Sequence, residues 1–294
     1  MIKAELYAVT GVTGRTGAAV ARTLLAAGKR VRVIVRTPAN GAVWANQGAE
    51  VSVANLTDIS TLSSALSGVE GAYIISPPQY SQDDLFKQAE IMADTIAEAS
   101  IKAQLPKLVA LSSIGADKSK DVGLISMNRT LEQSLKQTGL PVTFLRAAYF
   151  MENWIPMIET ALKQGSLSSF LAPLNRKIPM IATDDIGRIA AEALSEHWDK
   201  VRVIELEGPR PYSPNDLSNG LTQSLGEAVD VKAIAESDWA KALSGSAMST
   251  TAIDGFIEMT KALNSGHIDF VDSAEIDRRK GSITLDDIVT EILS

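Results

Sequence analysis

Three glycines near the start of the chain are spaced for backbone contact with a phosphate. In Gly11-Val12-Thr13-Gly14-Arg15-Thr16-Gly17 the first glycine permits a tight turn. The second leaves room for a pyrophosphate at a helix N-terminus, and the third lets helix and strand pack closely. Glycine triplets also occur in turns that bind nothing. Here the loop follows an apolar strand, Leu6-Tyr7-Ala8-Val9-Thr10, and opens a helical run, the context that gives such a motif weight. Thr13, Arg15 and Thr16 complete the loop. About 20 residues beyond, where a carboxylate would hold a ribose 2′-hydroxyl, the chain has Arg36. Arg36 and Arg15 together suit a 2′-phosphate, which a guanidinium clamps bidentately. The expected ligand is a dinucleotide, with NADP(H) preferred over NAD(H).

Other chemistries are poorly supplied. The absence of cysteine removes thiolate nucleophiles, iron–sulfur ligation, disulfides and Cys-based zinc sites. His197 and His267 are the only two histidines, so a catalytic triad or multi-His metal site is a poor expectation, and no metal is expected. Asp184-Asp185 precedes Ile186-Gly187-Arg188 and reads as helix capping rather than a metal pair. His197 reads as a helix-end residue, His267 as a loop residue, and Lys118 and Lys120 as a solvated loop. The formal net charge of −7 gives no indication of a nucleic-acid partner. No apolar run approaches the ~18 residues of a membrane span, and Met1-Ile2-Lys3-Ala4-Glu5 lacks the order of a secretory signal. A cytoplasmic protein is the expectation.

The elements that must position the glycine loop alternate in type. Strands are expected at Leu6–Thr10, Val31–Val35, Val51–Val53, Ala72–Ile75, Leu108–Leu111 and Val142–Leu145. Helical patterns lie between them, for example Val20, Leu24 and Leu25 closed by Gly28. Thr37-Pro38 reads as a helix start, Asp58 as an N-cap, and Ser81-x-x-Asp84 as a capping box for a long helix through Leu85, Ala89, Met92 and Ile96. Such βα alternation predicts an α/β fold with a doubly wound parallel sheet and ligands at the carboxyl ends of its strands. At ~150 residues per domain, 294 residues suggest two units. Residues 1–147 are expected as the dinucleotide-binding domain. Residues 148–294, broken by Pro156, Pro173, Pro179, Pro209, Pro211 and Pro214, are expected as a smaller C-terminal substrate lobe, parts of which pack back on the sheet.

The residues also carry a resemblance. Gly11–Gly17, the strand ending in Val35-Arg36-Thr37-Pro38, Val53-Ala54-Asn55-Leu56-Thr57-Asp58 and Tyr73-Ile74-Ile75-Ser76-Pro77-Pro78 resemble the NmrA-like branch of the atypical short-chain dehydrogenases. So do Leu111-Ser112-Ser113, Ala182-Thr183-Asp184-Asp185-Ile186-Gly187 and, most specifically, Leu145-Arg146 through Phe150-Met151-Glu152-Asn153-Trp154. The resemblance implies a Rossmann domain binding NADP(H), in a family that includes quinone and triphenylmethane-dye reductases and also dinucleotide-binding regulators. It implies further that Asn55 and Leu56 flank the adenine, Ser76 and Pro77 line the nicotinamide ribose, and Ser112 and Ser113 face the nicotinamide. The family often has Asp where Asn55 stands, and His-x-x-x-Glu where this chain has Asn128 and Glu132.

One expected pair is missing. Short-chain dehydrogenases usually donate a proton from Tyr with a Lys four residues on. The five tyrosines Tyr7, Tyr73, Tyr80, Tyr149 and Tyr212 are followed at that spacing by Gly11, Pro77, Asp84, Asn153 and Asp216. Ordinary carbonyl reduction creates an alkoxide and needs that acid. A reduced quinone resembles a phenol, with a pKa of about 10, and needs only a weak donor. The expectation is reduction of a small, quinone-like or conjugated acceptor, walled by Tyr80, Tyr149, Phe150 and Trp154. Tyr149 and Tyr80 are the weak catalytic candidates, while Phe150 and Trp154 also read as core filling between lobes. The alternative is a non-catalytic NADP(H)-sensing regulator acting through a protein partner.

Overall fold

The computed structural model describes residues 5–271 and 276–294; residues 1–4, most of the segment considered above for a secretory signal, lie outside them. In β1 (Leu6–Thr10) every residue is buried. Tyr7 and Val9 enter one core and Leu6 and Ala8 another, as the two-residue period of a strand dictates. A strand buried on both faces belongs between two helix layers.

After β1 the chain alternates through α1 (Arg15–Ala26), β2 (Arg30–Val35), α2 (Ala42–Ala45), β3 (Glu50–Val53), α3 (Ile59–Leu66), β4 (Gly71–Ile74), α4 (Leu85–Lys102), β5 (Leu108–Ser113), α5 (Ser126–Lys136) and β6 (Val142–Ala147). It continues with β7 (Tyr149–Phe150), α6 (Ile155–Gln164), β8 (Ser166–Ser169), β9 (Met180–Ile181), α7 (Thr183–Ser195) and β10 (Arg202–Glu207). The last elements are α8 (Pro214–Leu225), β11 (Asp230–Ala233), α9 (Trp239–Leu243), α10 (Thr250–Ser265), β12 (Asp277–Lys280) and α11 (Leu285–Leu293).

Eight strands form one sheet in the order β12-β10-β6-β5-β4-β1-β2-β3, and every pairing in it is parallel. The sheet is doubly wound. Val20 and Leu24 of α1 and Ile186 and Ile189 of α7 cover one face. Leu62 of α3, Ile96 of α4 and Leu131 of α5 cover the other. Helices α1 and α7 meet closely, because Gly187 lies where any β-carbon would collide with Ala19. The order reverses between β1 and β4, the switch point at which an open α/β sheet leaves a crevice.

After Ala147 the chain leaves the sheet, yet it returns twice, as β10 and β12, and supplies α7. The sheet is therefore shared between the first 147 residues and the rest. A third core, with Trp154, Ile158, Leu217, Leu221 and Ile288, holds α6, α8 and α11 together over the cleft side.

Two local expectations are corrected. The capping box at Ser81 does not form: α4 begins at Leu85 with no side-chain cap, and Asp84 Oδ2 instead accepts from Gln88 Nε2 at 2.8 Å. Thr37-Pro38 opens only a 3-10 turn, Pro38–Gly41, without a threonine cap. Asp58 does cap α3, accepting from the Thr61 amide at 2.8 Å.

Candidate active site

The crevice is built from the turn after β1 outward. Thr10 Oγ1 accepts from the Ile75 amide at 3.0 Å and donates to the Tyr73 carbonyl at 3.2 Å, fixing the end of β1 to the end of β4. Gly11 has φ +69°, and the Ile75 side chain fills the space a β-carbon would need, so any other residue there is strained and must displace Ile75. The turn closes with Gly14 N–H donating to Gly11 O at 2.9 Å. At Gly17 a β-carbon would collide with the carbonyls of Thr10 and Gly11, so this glycine packs helix on strand and lines neither of the two cavities over the turn. Helix α1 starts with no capping side chain and no carboxylate in its first turn. Its first N–H groups and positive dipole end are free for an anion.

Two cavities lie over this turn. The first, about 720 Å³, runs from Gly11, Thr13 and Gly14 past Arg36, Asn55 and Leu56 to Pro77. Among its described lining residues Arg36 is the single charged side chain. Asn55 Oδ1 accepts from the Thr57 amide at 3.1 Å, so its carbonyl is committed to the local turn. The second cavity, about 470 Å³, is lined by Arg15, Thr16, Ser76, Ser112, Ser113, Tyr80, Tyr149 and Phe150, among others. Gly14, Ile75, Pro77 and Pro78 border both. The glycine turn straddles the two: Thr13 faces the first and Arg15 the second. This corrects the expected pairing of Arg15 with Arg36, which the turn separates.

Below the second cavity lies a buried charge cluster. Ser112 Oγ donates to Glu132 Oε1 at 2.8 Å. Arg146 grips both Glu132 oxygens, at 2.9 and 2.8 Å, and Lys136 adds a bond of 2.9 Å. Burial works to raise the Glu132 carboxyl, but Arg146, Lys136 and Ser112 outweigh it and hold it below the ordinary range. This cluster carries β5 and β6 two residues past their apolar patterns. Ser113 Oγ donates to Ile114 O at 3.0 Å, Ser76 Oγ reaches Met92 Sδ at 3.4 Å, and Thr183 Oγ1 donates to Glu152 Oε1.

Burial pushes the Tyr149 hydroxyl up to about 12; Tyr80 is raised in the same direction by desolvation of its hydroxyl, although the residue as a whole is 41% exposed. Phe150 lines the cavity but Trp154 does not. It is 1% exposed in the core beneath α6, which corrects its expected place beside the acceptor. The remaining candidates lie elsewhere. Asp184 pairs with Arg22 of α1 at 2.9 Å. Asp185 accepts from the Ser282 and Ile283 amides, tying distant chain rather than capping its own helix. His267 Nε2 meets Lys120 O at 3.2 Å.

Sequence reasoning missed the apolar roof: Leu124, Ile125, Met127, Met259, Leu263 and Ile268 also line the second cavity. Met259 and Leu263 come from α10, whose N-cap Ser249 accepts from the Ala252 amide at 3.1 Å. Ser249 also donates to the loop after β4, through its amide to Tyr80 O at 2.8 Å and its hydroxyl to Gln82 O at 3.0 Å. Only the helical spacing of apolar residues in α10 hints at this wall.

Comparison with known proteins places this geometry. The chain matches the NmrA-like family over residues 3–282. It is 30% identical over 240 residues to quinone oxidoreductase 2 of Escherichia coli, covering 81% of each chain. The crystal structure of the NADPH-dependent quinone oxidoreductase QOR2 of E. coli, complexed with NADPH, matches with a TM-score of 0.83 and 26% identity, over 98% of this chain and 100% of that one. The Citrobacter triphenylmethane reductase complexed with NADP(H) shares the fold, with a TM-score of 0.82 at 18% identity over 98% and 99% of the two chains.

Proposed function

The chain belongs to the NmrA-like family, and from that membership we propose that it binds NADPH and reduces a quinone-like or conjugated small-molecule acceptor. The observation that carries this reading is the pair of adjoining cavities at the switch point, one with a lone guanidinium and no carboxylate among its described lining residues, the other walled by apolar and aromatic side chains. The residues fit the dinucleotide. Gly11, Thr13 and Gly14, with the free amides opening α1, would hold the pyrophosphate, and Arg36 the 2′-phosphate. Asn55 and Leu56 would flank the adenine, Ser76 and Pro77 the nicotinamide ribose, and Ser112 and Ser113 the nicotinamide, with Arg15 and Thr16 at the same side of the turn. When bound, the dinucleotide supplies the two electrons and hydrogen that the acceptor gains.

The chain's own part is positioning. The apolar roof excludes water, and Tyr80, Tyr149 and Phe150 hold a flat acceptor in place. No Tyr-x-x-x-Lys is present, and a Tyr149 hydroxyl near 12 is a poor acid at neutral pH. A hydroquinone with a pKa of about 10 can take its last proton from solvent. The test follows NADPH absorbance with a panel of quinones and dyes. Consumption of NADPH in preference to NADH, varying little between about pH 6 and 8, is expected. No consumption by a protein that still binds NADPH would overturn the reductase and favour a sensor acting through a protein partner.

A further inference from the structure

We propose that the Asn128 side-chain amide is the hydrogen-bond donor that orients a carbonyl oxygen of the acceptor, which makes it a residue determining specificity for oxygen-bearing acceptors. The proposal rests on the reductase reading and deepens it. Asn128 is half-buried in the first turn of α5 and lines the second cavity. Glu132, one turn later on the same face, bonds Ser112 at the end of β5. That contact locates the face, and Asn128 with it, beside Ser112 and Ser113 at the cavity floor.

Three polar side chains of the same cavity are committed elsewhere, Ser112 to Glu132, Ser113 to Ile114 O and Thr183 to Glu152, which leaves Asn128 beside the Tyr80 and Tyr149 hydroxyls, Asn153 and Arg15 among its polar lining. Arg129, next in sequence, turns away to the carbonyls of Ala116 and Asp117, at 3.3 and 2.7 Å. The Asn128 amide makes no hydrogen bond to any described residue, although Leu124, Ile125, Met127 and Met259 share its cavity. The amide is half-buried and still open to solvent, so an acceptor's oxygen entering the cavity takes the place of water as its partner. The group is also neutral at every pH. The ionisable side chains lining the cavity are Arg15, Tyr80, Tyr149 and Glu152, with Glu132, Lys136 and Arg146 beneath. Asn128 itself carries no titrating proton, so its own donor does not switch with pH.

The experiment titrates 2-methyl-1,4-naphthoquinone into the protein in the presence of NADP+, which cannot reduce it, and follows tryptophan fluorescence. Wild type, Asn128→Leu and Asn128→His are compared, each with a melting curve and an NADPH titration. Asn128→Leu should bind the quinone about three- to tenfold more weakly, the size of one hydrogen bond. NADPH affinity should be unchanged, and so should binding of 2-methylnaphthalene, which has no oxygen. Asn128→His should restore binding and make it tighten as pH falls through about 6.5, where the imidazole becomes a charged donor. Equal quinone binding by wild type and a folded Asn128→Leu overturns the proposal alone and passes the role to Tyr149 or Tyr80. Wild type that neither binds nor reduces the quinone overturns the reductase reading and the proposal together.

Discussion

Arg36 sits exposed at the end of β2, the single charge among the described lining residues of its cavity. Reversing that charge with Arg36→Glu should weaken NADPH by more than tenfold, since a carboxylate then faces the 2′-phosphate, and should spare or improve NADH. Calorimetric titration with both dinucleotides checks it, and equal losses for the two would remove Arg36 from the 2′-phosphate. Glu132 answers to a different logic. Glu132→Gln leaves Arg146 buried without a full counter-charge and should cost about 3–5 kcal/mol, read as a lowered denaturant midpoint. The sign of the pH effect follows from the lowered carboxyl. The unfolded chain, with a Glu near 4.3, takes up protons first. The stability the pair provides is therefore complete above that value and lost progressively as pH falls from it through the lower value of the folded carboxyl, and the variant should show a flatter acid limb. Single residues were legible unevenly. Gly11 and Gly17 are readable because their backbone demands are sequence-local. Glu132 and Arg146 are fourteen positions apart on different elements, and only the packing of α5 on β5 and β6 joins them.

The elements around the cleft differ in how they are secured. The strand ends are fixed by a deep hydrogen-bonded core, whereas the loop between β4 and α4 is fastened to α10 through Ser249. Ser249→Ala removes both the helix cap and the bond to Gln82 O. It should cost about 1 kcal/mol of stability, increase proteolytic cleavage within residues 76–84, and raise KM for the acceptor more than it lowers kcat. Unchanged cleavage and KM would show that the backbone bond from Ser249 to Tyr80 O suffices. The first six strands were legible because each is a short apolar run between turn residues. The last strand of the sheet is another matter. β12 reads Asp277-Arg278-Arg279-Lys280, with no apolar residue at all. Its place is set by ion pairs, Arg278 to Glu205 at 2.7 Å and Arg279 to Glu196 at 2.6 Å, and such pairings leave no periodicity to read. Trp154 shows the reverse case, a residue whose type suited a ligand wall and whose burial made it core.

At the scale of the whole molecule, one sheet carries both halves of the chain, so the cleft's two sides are held by a common frame rather than by a linker. That frame ends differently at its two margins. The β12 margin presents four charged residues. The β3 margin presents Val51 and Val53, 38% and 47% exposed, beside a strand whose outer peptide groups lack a neighbour in the sheet. Its one charged residue, Glu50, is held by Arg30 and Arg32, and a margin with exposed apolar side chains and so little free charge is where strands of separate molecules can pair. The consequence is colloidal: on warming, the protein should begin to scatter light through its β3 margin before it loses its fold. Val53→Lys should raise the temperature at which scattering begins while leaving the melting temperature within about 2 °C, the scale of a change of ~0.5 kcal/mol at an exposed site. A scattering onset that follows the melting temperature in both proteins would instead assign the association to unfolded chains.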